Sequence, residues 1–101
     1  MEDNTVIAIL YQWRLVPGKE AQFTAAWTAI THQLKTQGAL GSALFDGADS
    51  TVFAIARWPD IDTRKASSAR LADPENYALM VDAIADEYQE HILNERLNFW
   101  S

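Results

Sequence analysis

At 101 residues the chain is long enough for one packed core and too short for two, so residues 1–101 are expected to form a single domain. A formal net charge of -6 argues against nucleic acid and anionic membranes, both of which bind clustered Lys and Arg. With no cysteine, disulfides, thiol nucleophiles and thiolate metal sites are excluded.

The first expected element is a strand over 6–15, rich in β-branched and aromatic residues. Alternation puts Ile7, Ile9, Tyr11, Trp13 and Leu15 on one face and Val6, Ala8, Leu10, Gln12 and Arg14 on the other. Pro17-Gly18 then makes a turn, with glycine supplying the positive φ that a type II turn needs at its second corner. A helix follows over 19–36, where Phe23, Trp27, Ile30 and Leu34 form one stripe and Gly38 is the left-handed stop. His32 projects about half a turn from that stripe, toward solvent. Two strands, 42–45 and 51–58, are joined across Asp46-Gly47-Ala48-Asp49. Residues 59–71 are weakly helical and carry few large apolar side chains, which suits a loosely packed cover. Asp73-Pro74 gives an N-cap and a first-turn proline to a helix expected over 74–89, burying Tyr77, Met80, Val81, Ile84 and Tyr88. Leu93, Leu97 and Phe99 alternate with polar residues in a last strand, and His91 falls at the junction before it.

The order is βαββαβ, the ferredoxin-like arrangement: an α+β fold with a four-stranded antiparallel sheet and helices on one face. Helices can cover only one face of that sheet. The apolar residues on the other face, Val6 to Leu10 with Phe53 and Ile55, call for a second copy of the chain. The acidic, polar start over 1–4 is unlike a signal peptide, and the apolar run over 6–11 is too short to cross a bilayer. A cytoplasmic location is the expectation.

Few residues are placed for hydrolytic or metal chemistry. The two histidines lie in no ligand motif, and no G-x-S-x-G nucleophile elbow is present. Gly38-x-x-Gly41 follows a helix and precedes a strand, the wrong order for a phosphate cradle. Asp82 and Asp86 are expected on a polar helix face, where carboxylates are ordinarily just solvated. The aromatics remain. Tyr11 and Trp13 share a strand face, Trp58 ends the third strand, and Tyr77 begins the stripe of the last helix. Large aromatics at such places are ordinarily core; Trp27 and Trp100 are assigned to packing and to the C-terminal edge. The other four can enclose an apolar pocket beneath residues 59–71, their polar tips orienting a small aromatic ligand.

Three segments carry a resemblance: Tyr11-Gln12-Trp13-Arg14-Leu15-Val16-Pro17-Gly18 running on to Phe23 and Trp27, then Gly38-Ala39-Leu40-Gly41-Ser42-Ala43-Leu44, then Ala54-Ile55-Ala56-Arg57-Trp58-Pro59. Together they resemble the antibiotic biosynthesis monooxygenase-like family of dimeric α+β barrels, over about residues 5–66 and a last strand. The resemblance implies a homodimer through the sheet face. It implies a pocket between sheet and helices, and oxidation of phenols or hydroquinones by O₂ with no cofactor and no metal. Trp58 matches the family's pocket tryptophan and Tyr11 stands where several active members hold asparagine, which makes these two the candidate catalytic residues. Trp13 and Tyr77 are the candidate substrate-binding residues. The haem-degrading branch needs a histidine about ten residues past the tryptophan, near Ser68 here, so haem degradation is not expected. The alternative to a monooxygenase is a non-enzymatic small-molecule-binding or stress-associated dimer on the same scaffold.

Overall fold

The computed structural model describes residues 5–100; the acidic start over 1–4 and Ser101 lie outside the described residues. Its elements follow the βαββαβ order. Strand β1 (Ile7–Leu15) leads to helix α1 (Glu20–Thr36), strands β2 (Gly41–Asp46) and β3 (Thr51–Trp58) follow, and short helices α2 (Ile61–Lys65) and α3 (Ala69–Ala72) come next. Helix α4 (Pro74–Asp82) precedes strands β4 (Ile84–Glu87) and β5 (His91–Asn94).

Local chemistry sets each boundary. The Lys19 N–H donates to the Val16 carbonyl at 3.0 Å across Pro17-Gly18, and Gly18 has φ 89, the type II corner. Gly38 ends α1 at φ 110, and a Cβ there would meet the Thr63 methyl at 2.7 Å. Gly38 thus serves both the left-handed stop and the close seating of α2. Asp60, Ser68 and Asp73 cap α2, α3 and α4 by accepting from the backbone of Thr63, Leu71 and Asn76.

The antiparallel sheet runs β2-β3-β1, with β4 and β5 both paired to the remaining edge of β1. These two segments are halves of one strand line, so the expected four-stranded ferredoxin-like order is present, with its last strand broken. The sheet is not closed. Helices lie on one face, over a core of Trp13, Leu15, Phe23, Ala26, Ile30, Val52, Ala54, Met80 and Ala83. A second cluster, Ile7, Ile9 and Trp58, continues it toward α2.

Two expectations about the C-terminal third are corrected. The helix expected over 74–89 stops at Asp82, and residues 84–87 are strand. Ala83 to Tyr88 suits a helix by composition, but β1 is a central strand whose second edge needs backbone partners, and that need overrides propensity. Tyr88 and Val81, expected to be buried, are exposed, whereas Met80 is buried as expected. Leu97 and Phe99 lie beyond β5 and are exposed rather than in a strand. Past Asn94 the Glu95 N–H reaches the Val6 carbonyl, and β1 has by then ended, so there is no ladder left to join.

Candidate functional site

Between the sheet and its helices lies a cavity of about 910 Å³. The first strand supplies one wall. Tyr11 and Trp13 are successive inward residues of β1, stacked at 5.1 Å between ring centroids and 11° between planes, and Phe23 of α1 meets Trp13 edge-on at 5.3 Å. From β3 come Ala54, Ala56 and Trp58, whose small alanines leave open the space that the cavity occupies. Helix α1 adds Trp27 and Leu34, α4 adds Tyr77 and Met80, and the segment from Arg64 to Arg70 covers one side. Tyr11, Trp13, Trp58 and Tyr77 thus all border one space. Trp58 is only 2% exposed and packs with Ile7 and Ile9, so it also belongs to the core.

Sequence reasoning missed the polar centre of the cavity. Arg64 Nη2 donates to the Tyr11 hydroxyl at 3.4 Å and to Glu90 Oε2 at 3.0 Å. Arg64 follows Ile61 by three positions in α2, so it shares that residue's inward face, and Ile61 packs against the Trp58 cluster. That much could have been read from spacing. Glu90 could not. It comes from a bulge between β4 and β5: Trp13 pairs with Glu87 and Leu10 with His91, so Tyr11 and Gln12 face three residues, Tyr88, Gln89 and Glu90. The extra residue restores an inward direction at Glu90, opposite Tyr11. Trp27, assigned to packing from its helical stripe, both packs on the core and borders the cavity.

Charge and burial set the protonation of this group. Burial pushes the Tyr11 pKa above its ordinary value, and the hydrogen bond and charge of Arg64 reduce the rise without cancelling it. Burial opposes the Arg64 charge, but its hydrogen bonds and charge interactions with Tyr11 and Glu90 prevail and hold its pKa up. At neutral pH, then, Tyr11 is a neutral phenol, and Glu90 is the charge that balances the guanidinium. Because Arg64 donates to the Tyr11 oxygen, the hydroxyl proton is not engaged by Arg64 and is free for another acceptor.

Neither histidine borders the cavity. His32 is exposed on α1, and His91 is not at a helix–strand junction but in β5, paired with Leu10 on the outer face. Asp82 accepts from Lys19 and Gln22, and Asp86, on β4 rather than a helix, is bonded to Arg14. No group of acidic or histidine side chains able to hold a metal ion occurs among the described residues. No described helix is long and apolar enough to cross a membrane.

No protein-family model matches the sequence, and no curated protein is found similar to it. Solved structures are another matter. The chain superposes on SnoaB, a cofactor-independent oxygenase from Streptomyces nogalater, with a TM-score of 0.80 over 96% of this chain and 99% of that one, at 13% identity. The chain has the fold of the antibiotic biosynthesis monooxygenase-like proteins. A candidate antibiotic biosynthesis monooxygenase from Chloroflexus aurantiacus gives 0.79 at 14% identity, covering 93% of this chain and 96% of its own. Another from Bordetella bronchiseptica gives 0.73 at 23% identity, over 92% and 99%. At such identities side chains diverge freely while the backbone arrangement persists, so the likeness is one of fold.

Proposed function

We propose that this chain is a cofactor-independent monooxygenase that oxidises a small phenol- or hydroquinone-type aromatic with O₂, acting in the cytoplasm as a homodimer joined through its outer sheet face. One observation carries the reading: the Tyr11 hydroxyl, held by Arg64, borders an aromatic-lined cavity of about 910 Å³. The fold shared with SnoaB supports it.

The substrate would supply the electrons. An anthrone or hydroquinone gives them up only as its anion, so the protein's task is to lower the cost of deprotonation. A substrate oxygen beside Tyr11 would accept the free hydroxyl proton as a hydrogen bond. The nearby guanidinium would favour the phenolate by charge. Trp58 and Trp13 would hold the ring, with Tyr77 closing the wall. For an anthrone the ring CH₂ becomes C=O: one atom of O₂ enters the product and the other leaves as water with both hydrogens.

The neutral state of Tyr11 gives it the role of hydrogen-bond donor rather than base. The same fact supports the second reading, a binding dimer, since Arg64 is already balanced by Glu90. Oxygen uptake with anthrone- and quinol-type substrates, without added cofactor, separates the two. Uptake is expected, and Tyr11→Phe should lower its rate at least tenfold with little loss of stability. Binding without uptake across such a panel would leave the binding dimer as the better account.

A further inference from the structure

The reaction proposed above begins with a proton leaving the substrate, and that proton needs an acceptor. Few groups bordering the cavity qualify. Tyr11 is a neutral phenol, Arg64 is a donor only, neither histidine borders the space, and the chain has no cysteine. Two carboxylates remain, Glu87 and Glu90.

Position separates them. Glu87 pairs with Trp13, one inward position along β1 from Tyr11. Glu90 lies on the bulge opposite Tyr11, and its Oε2 accepts from the same Arg64 nitrogen that donates to the Tyr11 hydroxyl. The Tyr11 oxygen and Glu90 Oε2 thus flank one atom, at 3.4 and 3.0 Å from it. A planar ring laid against this group can place its oxygen on Tyr11 and an acidic hydrogen toward Glu90. Oε1 accepts from no group among the described residues, so one carboxylate oxygen is available. The Glu90 side chain is also 43% exposed, so a proton taken from the cavity side can leave to water on the other.

We infer that Glu90 is the catalytic base: its Oε1 takes the substrate's acidic proton, while Tyr11 and Arg64 hold the oxygen on which charge gathers. The inference rests on the reaction proposed above, but its own step consumes no O₂. For an anthrone, the ring C–H bond breaks and an O–H bond forms on Glu90. The C–H electron pair stays on the substrate as the enolate, whose oxygen accepts from the Tyr11 hydroxyl and from Arg64. Glu90 then gives the proton to water and returns to a carboxylate. The competing account is that Glu90 only neutralises Arg64 and fastens the cover.

The two accounts separate when O₂ is excluded. In anaerobic D₂O the reverse step returns a deuteron, so proton NMR should show the anthrone methylene signal disappearing faster with the native protein than in buffer. Glu90→Gln keeps the side-chain size and an amide oxygen for Arg64 but cannot take a proton. It should slow the exchange at least a hundredfold, the usual worth of a general base, while Tyr11→Phe slows it about tenfold or more. Anthraquinone has no acidic hydrogen, so its binding to Glu90→Gln should match the native protein and shows that the cavity is intact. No exchange above buffer, exchange unchanged in Glu90→Gln, or exchange lost in Glu87→Gln instead would each overturn the inference. Loss of anthraquinone binding along with exchange in Glu90→Gln would make Glu90 structural and overturn it too. Exchange that depends on Glu90, without oxygen uptake from any substrate, would overturn the oxygenase reading alone. Oxygen uptake that is undiminished in Glu90→Gln would overturn this inference alone.

Discussion

Tyr11 and Trp58 sit on neighbouring strands and answer to different physics. Tyr11 keeps a polar atom at the cavity wall, and burial raises its pKa above the ordinary 10.0. The folded state therefore holds this proton after the unfolded chain has released it. The resulting stability is fully present below about pH 10 and is lost as pH rises through the folded-state pKa. Denaturant melts at increasing alkaline pH should show a steeper loss for the native protein than for Tyr11→Phe; parallel profiles would mean that Tyr11 titrates normally. Trp58 is almost fully buried, so its replacement removes packing as well as a cavity surface. Trp58→Ala should cost about 3–5 kcal/mol in equilibrium unfolding. A cost below about 1 kcal/mol would place Trp58 outside the core.

Among the elements, α2 and α3 are the least anchored. Neither contains a buried residue, and Leu71 in α3 is 79% exposed, whereas α1 buries Phe23, Ala26 and Ile30. The cover is fastened by two partly buried apolar residues, Ile61 against the Trp58 cluster and Ala69 against the main core, and by a few polar contacts: Arg64 to Tyr11 and Glu90, and the Ser68 N–H to Gln37 Oε1 at 3.2 Å. Its opening free energy should therefore be low. Hydrogen exchange over 61–72 should run faster than over 20–36, and a cavity ligand should slow it. Equal protection of both segments would argue against a moving cover.

For the whole molecule the outer sheet face is the exposed apolar surface that matters most. Leu10 and Ile55 are only half-buried there, and Phe45 and Leu93 are 44% and 47% exposed. The C-terminal tail covers a corner of this face: Glu95 pairs with Arg57, and Asn98 and Trp100 border a depression of about 340 Å³ beside Ala43 and Ile55. Most of the apolar area remains uncovered, as expected from an antiparallel sheet with helices on one side only, and the proposed dimer would cover it with a second copy of the chain. Light scattering at micromolar concentration should give a dimer. Leu10→Asp should dissociate or unfold it, because an unpaired charge would be buried in the interface. A monodisperse monomer for the native protein would refute the dimer.

The sequence by itself determined the first two-thirds of the fold. The Pro17-Gly18 turn, the Gly38 stop, the strand alternation and the Asp73-Pro74 cap are local devices, each acting within a few residues, and each is found where spacing puts it. Strand alternation also sets Tyr11 and Trp13 on one face, and the face shared by Ala54, Ala56 and Trp58 follows from the same period of two. Only the tertiary structure decided the rest. Residues 84–87 become strand because β1 has an edge to fill, a demand that arises far away in the chain and outweighs local helix preference. The same pairing sets the bulge, the bulge aims Glu90, and Glu90 with Tyr11 fixes Arg64. A composition can show that cations and carboxylates exist. Which of them meet depends on register, and register is a property of two strands together.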